Sequence, residues 1–90
     1  MLLIRHSIGS RLFYQTDDYS IEPKEEKWII SVSISEEEVK EILNFKQELN
    51  LFVVEEKQKT WYHSSHGEIV FNKDDQQLTI HADNQTVYPV

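Results

Sequence analysis

The hydrophobic pattern of this chain changes period once, sharply, between residues 28 and 49. Trp28, Ile30, Val32 and Ile34 alternate with Ile29, Ser31 and Ser33. That is the period of two that lays one side of a strand against an apolar layer. Ser35-Glu36-Glu37-Glu38 follows at once. Ser35 stands as an N-cap with Glu38 at the capping-box position, and the three glutamates suit the positive end of a helix dipole. Val39, Ile42, Leu43, Phe45 and Leu49 then fall within about 160° of a helical wheel. The pattern predicts one amphipathic helix over 36–49, with Lys46 near the end of its apolar arc and Asn50 as C-cap. No second helical period occurs. A parallel sheet needs repeated strand–helix crossovers, so a single helix dictates a mostly antiparallel sheet.

The remaining segments read as strands and turns. Residues 2–16 predict a hairpin with Gly9 at the first central position of a type II′ turn, where positive φ is required. That register sets Ile8 opposite Arg11, His6 opposite Phe13 and Arg5 opposite Tyr14. Residues 17–27 are polar, acidic and broken by Pro23, and predict a long loop. Leu51–Glu55 and Thr60–His63 flank one turn. Glu68–Phe71 and Gln77–Ala82 flank Asn72-Lys73-Asp74-Asp75. If Asp83-Asn84 is a two-residue turn, Ile80 faces Val87 and Leu78 faces Pro89, both apolar pairs. The expected fold is α+β, in the order β-β-β-α-β-β-β-β, a mostly antiparallel sheet with one helix packed on one face. Residues 1–90 are expected to form a single domain that buries roughly 60–65% of its unfolded surface.

Charge is distributed unevenly. Residues 17–56 hold twelve Asp/Glu against four Lys/Arg, a net of −8, while the flanks carry +2 and −1. Local acidity of this kind repels anionic surfaces and attracts basic ones. It argues against direct nucleic-acid binding. The run Met1–Ile4 is too short for a signal peptide, with Arg5 and His6 interrupting it. No stretch nears the ~20 apolar residues of a membrane span. The chain has no cysteine, which fits a reducing compartment. The cytoplasm is the simplest expected location.

Chemistry-bearing constellations are sparse. Glu37, Glu41 and Glu48 lie opposite the apolar stripe on the wheel, and Asp17 and Asp18 open the acidic loop. On an open surface such carboxylates have no reason for the raised pKa that acid catalysis needs. They serve either as a solvated face or as a surface for a basic partner. His63 and His66 at a spacing of three, with His81, invite a metal reading, but no Cys and no H-E-x-x-H pattern accompanies them. No G-x-S-x-G and no glycine-rich phosphate loop occur. Trp61-Tyr62 are neighbours on an expected strand, so one faces inward and one outward. The outward member is an aromatic anchor of the kind enriched at interfaces, and Tyr14, Tyr19 and Tyr88 add further candidates.

Together these features point to a small acidic intracellular binding protein, an inhibitor or immunity-type protein that covers a basic surface of a protein partner. Nucleic-acid mimicry is its sharper form. The expected partner-binding residues are Glu37, Glu41, Glu48, Asp17, Asp18 and Tyr62. No catalytic residue, metal or cofactor is expected. The alternatives are an assembly module that self-associates and a histidine-based metal-dependent enzyme.

Overall fold

Ile30, Val32 and Ile34 are almost completely buried, as their alternation requires. Ile30 and Val32 extend from a strand, β4 (Lys27–Ser33), and Ile34 lies just past its end, before a helix, α1 (Glu36–Asn44). The computed structural model describes residues 1–64 and 68–89. Before β4 come β1 (Leu2–His6), β2 (Leu12–Thr16) and β3 (Tyr19–Lys24). After α1 come β5 (Leu49–Val54), β6 (Gln58–His63), β7 (Ile69–Asn72), β8 (Gln77–Ala82) and β9 (Asn84–Pro89). The fold is α+β, and every strand pair is antiparallel.

The strands form two sheets rather than one. The first has the order β2-β1-β5-β6-β9 and the second β3-β4-β8-β7. Leu2, Ile4, Leu51, Val53 and Tyr62 of the first sheet share one core with Ile30, Val32, Leu78, Ile80 and Ala82 of the second. Alternation along each strand explains the set, because residues two apart line one face. α1 is the crossover from the second sheet to the first and adds Val39 and Ile42 to the same core. Trp28 meets Tyr62 edge-on across the sheets, with ring centroids 6.0 Å apart.

The helix starts where the sequence places it and stops early. The Ser35 Oγ accepts the Glu38 backbone N–H at 3.2 Å and donates to the Glu38 carboxylate at 2.9 Å. At the other end, Phe45 leaves helical geometry, and its N–H reaches back only to the Ile42 carbonyl. Asn50 is therefore not a C-cap but lies inside β5. Leu49 fits two patterns: the helical arc, and the alternation Leu49-Leu51-Val53. The strand prevails because it pairs residue for residue with β1, from Leu49 opposite His6 to Val53 opposite Leu2. The freed Phe45 ring stacks on Phe13 at 5.7 Å, with His6 against both.

Three other expectations change. The 17–27 loop is mostly strand: β3 pairs along its whole length with β4, and Glu25-Glu26 makes the tight turn with φ of 50° and 66°. Pro23 is tolerated because β3 is an edge strand. The first hairpin has a longer loop, closed by the His6 N–H on the Arg11 carbonyl, with positive φ at both Gly9 and Ser10. A bulge then pairs Arg5 with Leu12 and Ile4 with Tyr14. Finally, β9 does not fold back on β8. It crosses to the first sheet, where Val87 faces Thr60 and Pro89 faces Gln58.

Candidate functional site

An open groove of about 400 Å³ lies where β2, the β4–α1 junction and the β7–β8 turn meet. Each wall follows from local sequence chemistry. Asn72 and Asp75 close the β7–β8 turn on themselves: the Asn72 side chain accepts the Asp75 N–H at 3.1 Å and donates to the Asp75 carboxylate at 3.0 Å. The turn is fastened to β4 by the Ile34 N–H on the Gln76 carbonyl. Opposite, the Ser33 N–H bonds the Asp18 carbonyl, and the Thr16 hydroxyl accepts the Asp18 N–H. The helix cap presents Glu38 on the third side.

Three acidic residues, Asp18, Glu38 and Asp75, therefore line one groove, and among the described residues no Lys, Arg or His lines it. Tyr14 lies among them, its hydroxyl donating to the Ser33 carbonyl at 3.2 Å. Burial raises the Tyr14 pKa above its ordinary 10.0, and the negative charges of Glu38 and Asp18 raise it further, against a lowering hydrogen bond from Thr16. The phenol gives its proton to the Ser33 carbonyl, and its oxygen can still accept a hydrogen bond from a cation. Carboxylates at the rim and a hydroxyl at the wall suit a guanidinium or ammonium group entering from outside. Among the described residues, no group of three or more His, Cys, Asp or Glu is arranged to hold a metal ion.

No family model, curated protein or solved structure matches this chain. The reading of the site rests on its geometry.

The six expected partner-binding residues do not form one surface. Asp18 lines the groove. Asp17 lies outside it, 3.4 Å from the amino terminus. Glu37 is exposed on α1. Glu41 is held in a two-point bond to Arg11 at 2.7 and 2.9 Å. Glu48 is not on the helix at all, because α1 ends at Asn44; it meets the His6 Nε2 at 3.0 Å. Tyr62 is a correction: it is buried, only 6% exposed, and its hydroxyl accepts from the Gln85 amide. Trp61 is the outward member of that pair, with its indole N–H donating to the Asn50 side-chain oxygen Oδ1 at 3.0 Å. The register decides this, since Tyr62 shares the inner face with Thr60, opposite Leu51 and Val53.

Sequence alone singles out neither Glu38 nor Asp75 as a site residue, and it offers Tyr14 only as one of several candidate aromatics. Glu38 was legible only as a cap and Asp75 only as a turn residue, and nothing local joins them to Tyr14. Of the histidine set, His66 lies outside the described residues. His63 and His81 stand on different sheets, in β6 and β8. No helix among the described residues is long and apolar enough to cross a membrane.

Proposed function

We propose that this chain is a small intracellular binding protein, of an inhibitor or immunity type, that covers a basic surface of a protein partner. The groove takes a lysine or arginine side chain of that partner, and the exposed glutamates of α1 supply the surrounding field. The observation that carries the reading is the convergence of Asp18, Glu38 and Asp75 on one groove with no basic residue among the described residues of its lining. A net charge of −7, concentrated in residues 17–56, supports it. Such a field speeds encounter with a basic partner and repels nucleic acid and other anions. Many enzymes that act on nucleic acids present basic clefts, and a row of carboxylates can stand in for phosphates there. The reading assigns the chain no catalysis and no cofactor, and its working compartment is the cytoplasm.

The test is affinity capture from the native cell on the immobilised protein, eluted with a salt gradient. The expected result is a basic protein released as salt rises. Capture of acidic proteins alone, or retention that ignores salt, counts against the proposal.

A further inference from the structure

Two sheets have four edges, and three of them are guarded. An open edge offers unpaired N–H and C=O groups to any passing strand, and proteins blunt edges with charge, proline, bulges or shortness. β2 is bulged and has α1 beside it. β3 carries Glu22, Pro23 and Lys24 and ends in the Glu25-Glu26 turn. β7 is only four residues long and is flanked by Glu68 and Lys73.

β9 has none of these until its last residue. Asn84-Gln85-Thr86-Val87-Tyr88-Pro89 contains no charge, and all six residues are exposed, Val87 at 49% and Tyr88 at 45%. Its register with β6 is unbroken over six pairs, so no bulge twists the edge away. Thr86, Val87 and Tyr88 are strong strand formers. Beside it, β6 contains one charged residue, Lys59, and no carboxylate. In a chain of net charge −7, neither β6 nor β9 carries a carboxylate within the strand, although Asp83 stands just before β9.

We infer that the outer edge of β9, over residues 85–88, pairs with the same edge of a second copy, antiparallel about a twofold axis, joining two five-stranded sheets into one of ten strands. An isologous contact needs one patch that complements itself. An uncharged strand does so in either direction along the edge. A twofold axis normal to the sheet sets one residue of β9 directly opposite itself, and the centre of the strand makes that residue Gln85, Thr86 or Val87. A single strand pair buries less than the roughly 1,200–2,000 Å² of a stable interface, so the dimer is weak and forms only at raised concentration. The inference does not depend on the groove, which lies at the β2 side of the molecule.

Sedimentation velocity on the whole chain, from micromolar to millimolar concentration, is the first test. The wild type should pass from monomer to dimer. Val87→Lys should remain monomeric at every concentration with an unchanged far-UV spectrum, because Val87 is exposed and each copy then brings a lysine charge into the shared edge. A wild type that stays monomeric throughout overturns the inference. So does a Val87→Lys variant that dimerises like the wild type, since another surface is then responsible. A strand of a different protein taken up by a monomer also overturns it, because the occupant is then wrong. The second test uses the absence of native cysteine. Opposed Cα atoms in an antiparallel pair lie about 4.5–5.5 Å apart, within disulfide reach. Gln85→Cys, Thr86→Cys and Val87→Cys are oxidised separately, with Val70→Cys on the β7 edge as control. One of the three should cross-link efficiently and the control should not. Equal cross-linking at all four positions means random collision and refutes the paired edge.

Discussion

Ile42→Ala, read against Leu43→Ala, tests which face of α1 carries the fold. The two residues are adjacent and share the apolar arc of the helical wheel, yet their surroundings differ. Ile42 is 0% exposed and belongs to the core, whereas Leu43 is partly buried and packs against its margin. Replacing Ile42 with Ala removes three carbon groups at about 0.8 kcal/mol each, or about 2.4 kcal/mol of transfer free energy. The cavity left beneath the helix adds to this, and the total lies in the range of about 2–5 kcal/mol seen for such truncations. Alanine's better helix propensity returns only a few tenths of a kcal/mol. The expected loss for Ile42→Ala is therefore about 3 kcal/mol, and for Leu43→Ala about half that. A domain of this size has roughly 5–13 kcal/mol in total, so the Ile42 variant stays foldable. Urea melts followed by Trp28 and Trp61 fluorescence and by circular dichroism measure both. If Leu43→Ala costs as much as Ile42→Ala, or Ile42→Ala costs less than about 1 kcal/mol, the assignment of the buried face is wrong.

Two further outcomes follow from the backbone and from Tyr14. Glu25 and Glu26 hold left-handed φ, where a side chain costs about 1 kcal/mol or more. Glu25→Asn with Glu26→Gly should therefore raise stability by about 1–2 kcal/mol in a urea melt, and a loss would mean those side chains make contacts that outweigh the strain. The Tyr14 pKa is raised by folding, so above pH 10 the unfolded chain loses that proton first. Stability should fall as pH climbs from about 10 toward the folded-state pKa and be unaffected by this group below that window. Tyr14→Phe should flatten part of the fall in thermal melts across the window, and an identical slope in both proteins would remove Tyr14 as its cause.

The elements that punctuate themselves were legible in the sequence. The alternation 28–34, the Ser35/Glu38 cap and the turn after β7 each carry their own local signal, and each is where the sequence puts it; the turn after β5 is shorter than expected, because Gln58 and Lys59 already belong to β6. What escaped is what local signals do not carry. Glu25-Glu26 turns sharply with neither Gly nor Asn, so β3 reads as loop. The bulge in the first hairpin shifts its register, which is why neither face of the expected pairing looks apolar. Leu49 satisfies two periods, and only the long-range pairing with β1 chooses between them. β9 has no buried face to betray its partner, so Val87 looks as suited to Ile80 as to Thr60. The groove was illegible for the same reason: Tyr14, Asp18, Glu38 and Asp75 are brought together by pairing between segments far apart in the chain.

The most direct test of the central claim is the rate at which the captured partner associates with the wild type and with the triple variant Asp18→Asn, Glu38→Gln, Asp75→Asn, measured at several ionic strengths. The three substitutions remove charge but keep the shape of the groove. Gln still serves the capping position, and Asn at 75 can still accept from Asn72. Electrostatic steering raises association rates by roughly 10–1,000-fold and falls steeply with salt. The account predicts slower association of the variant at low salt, a flatter salt dependence and an unchanged melting curve. A variant that associates at the wild-type rate at every ionic strength would contradict it, and would leave the groove a solvated feature of the surface.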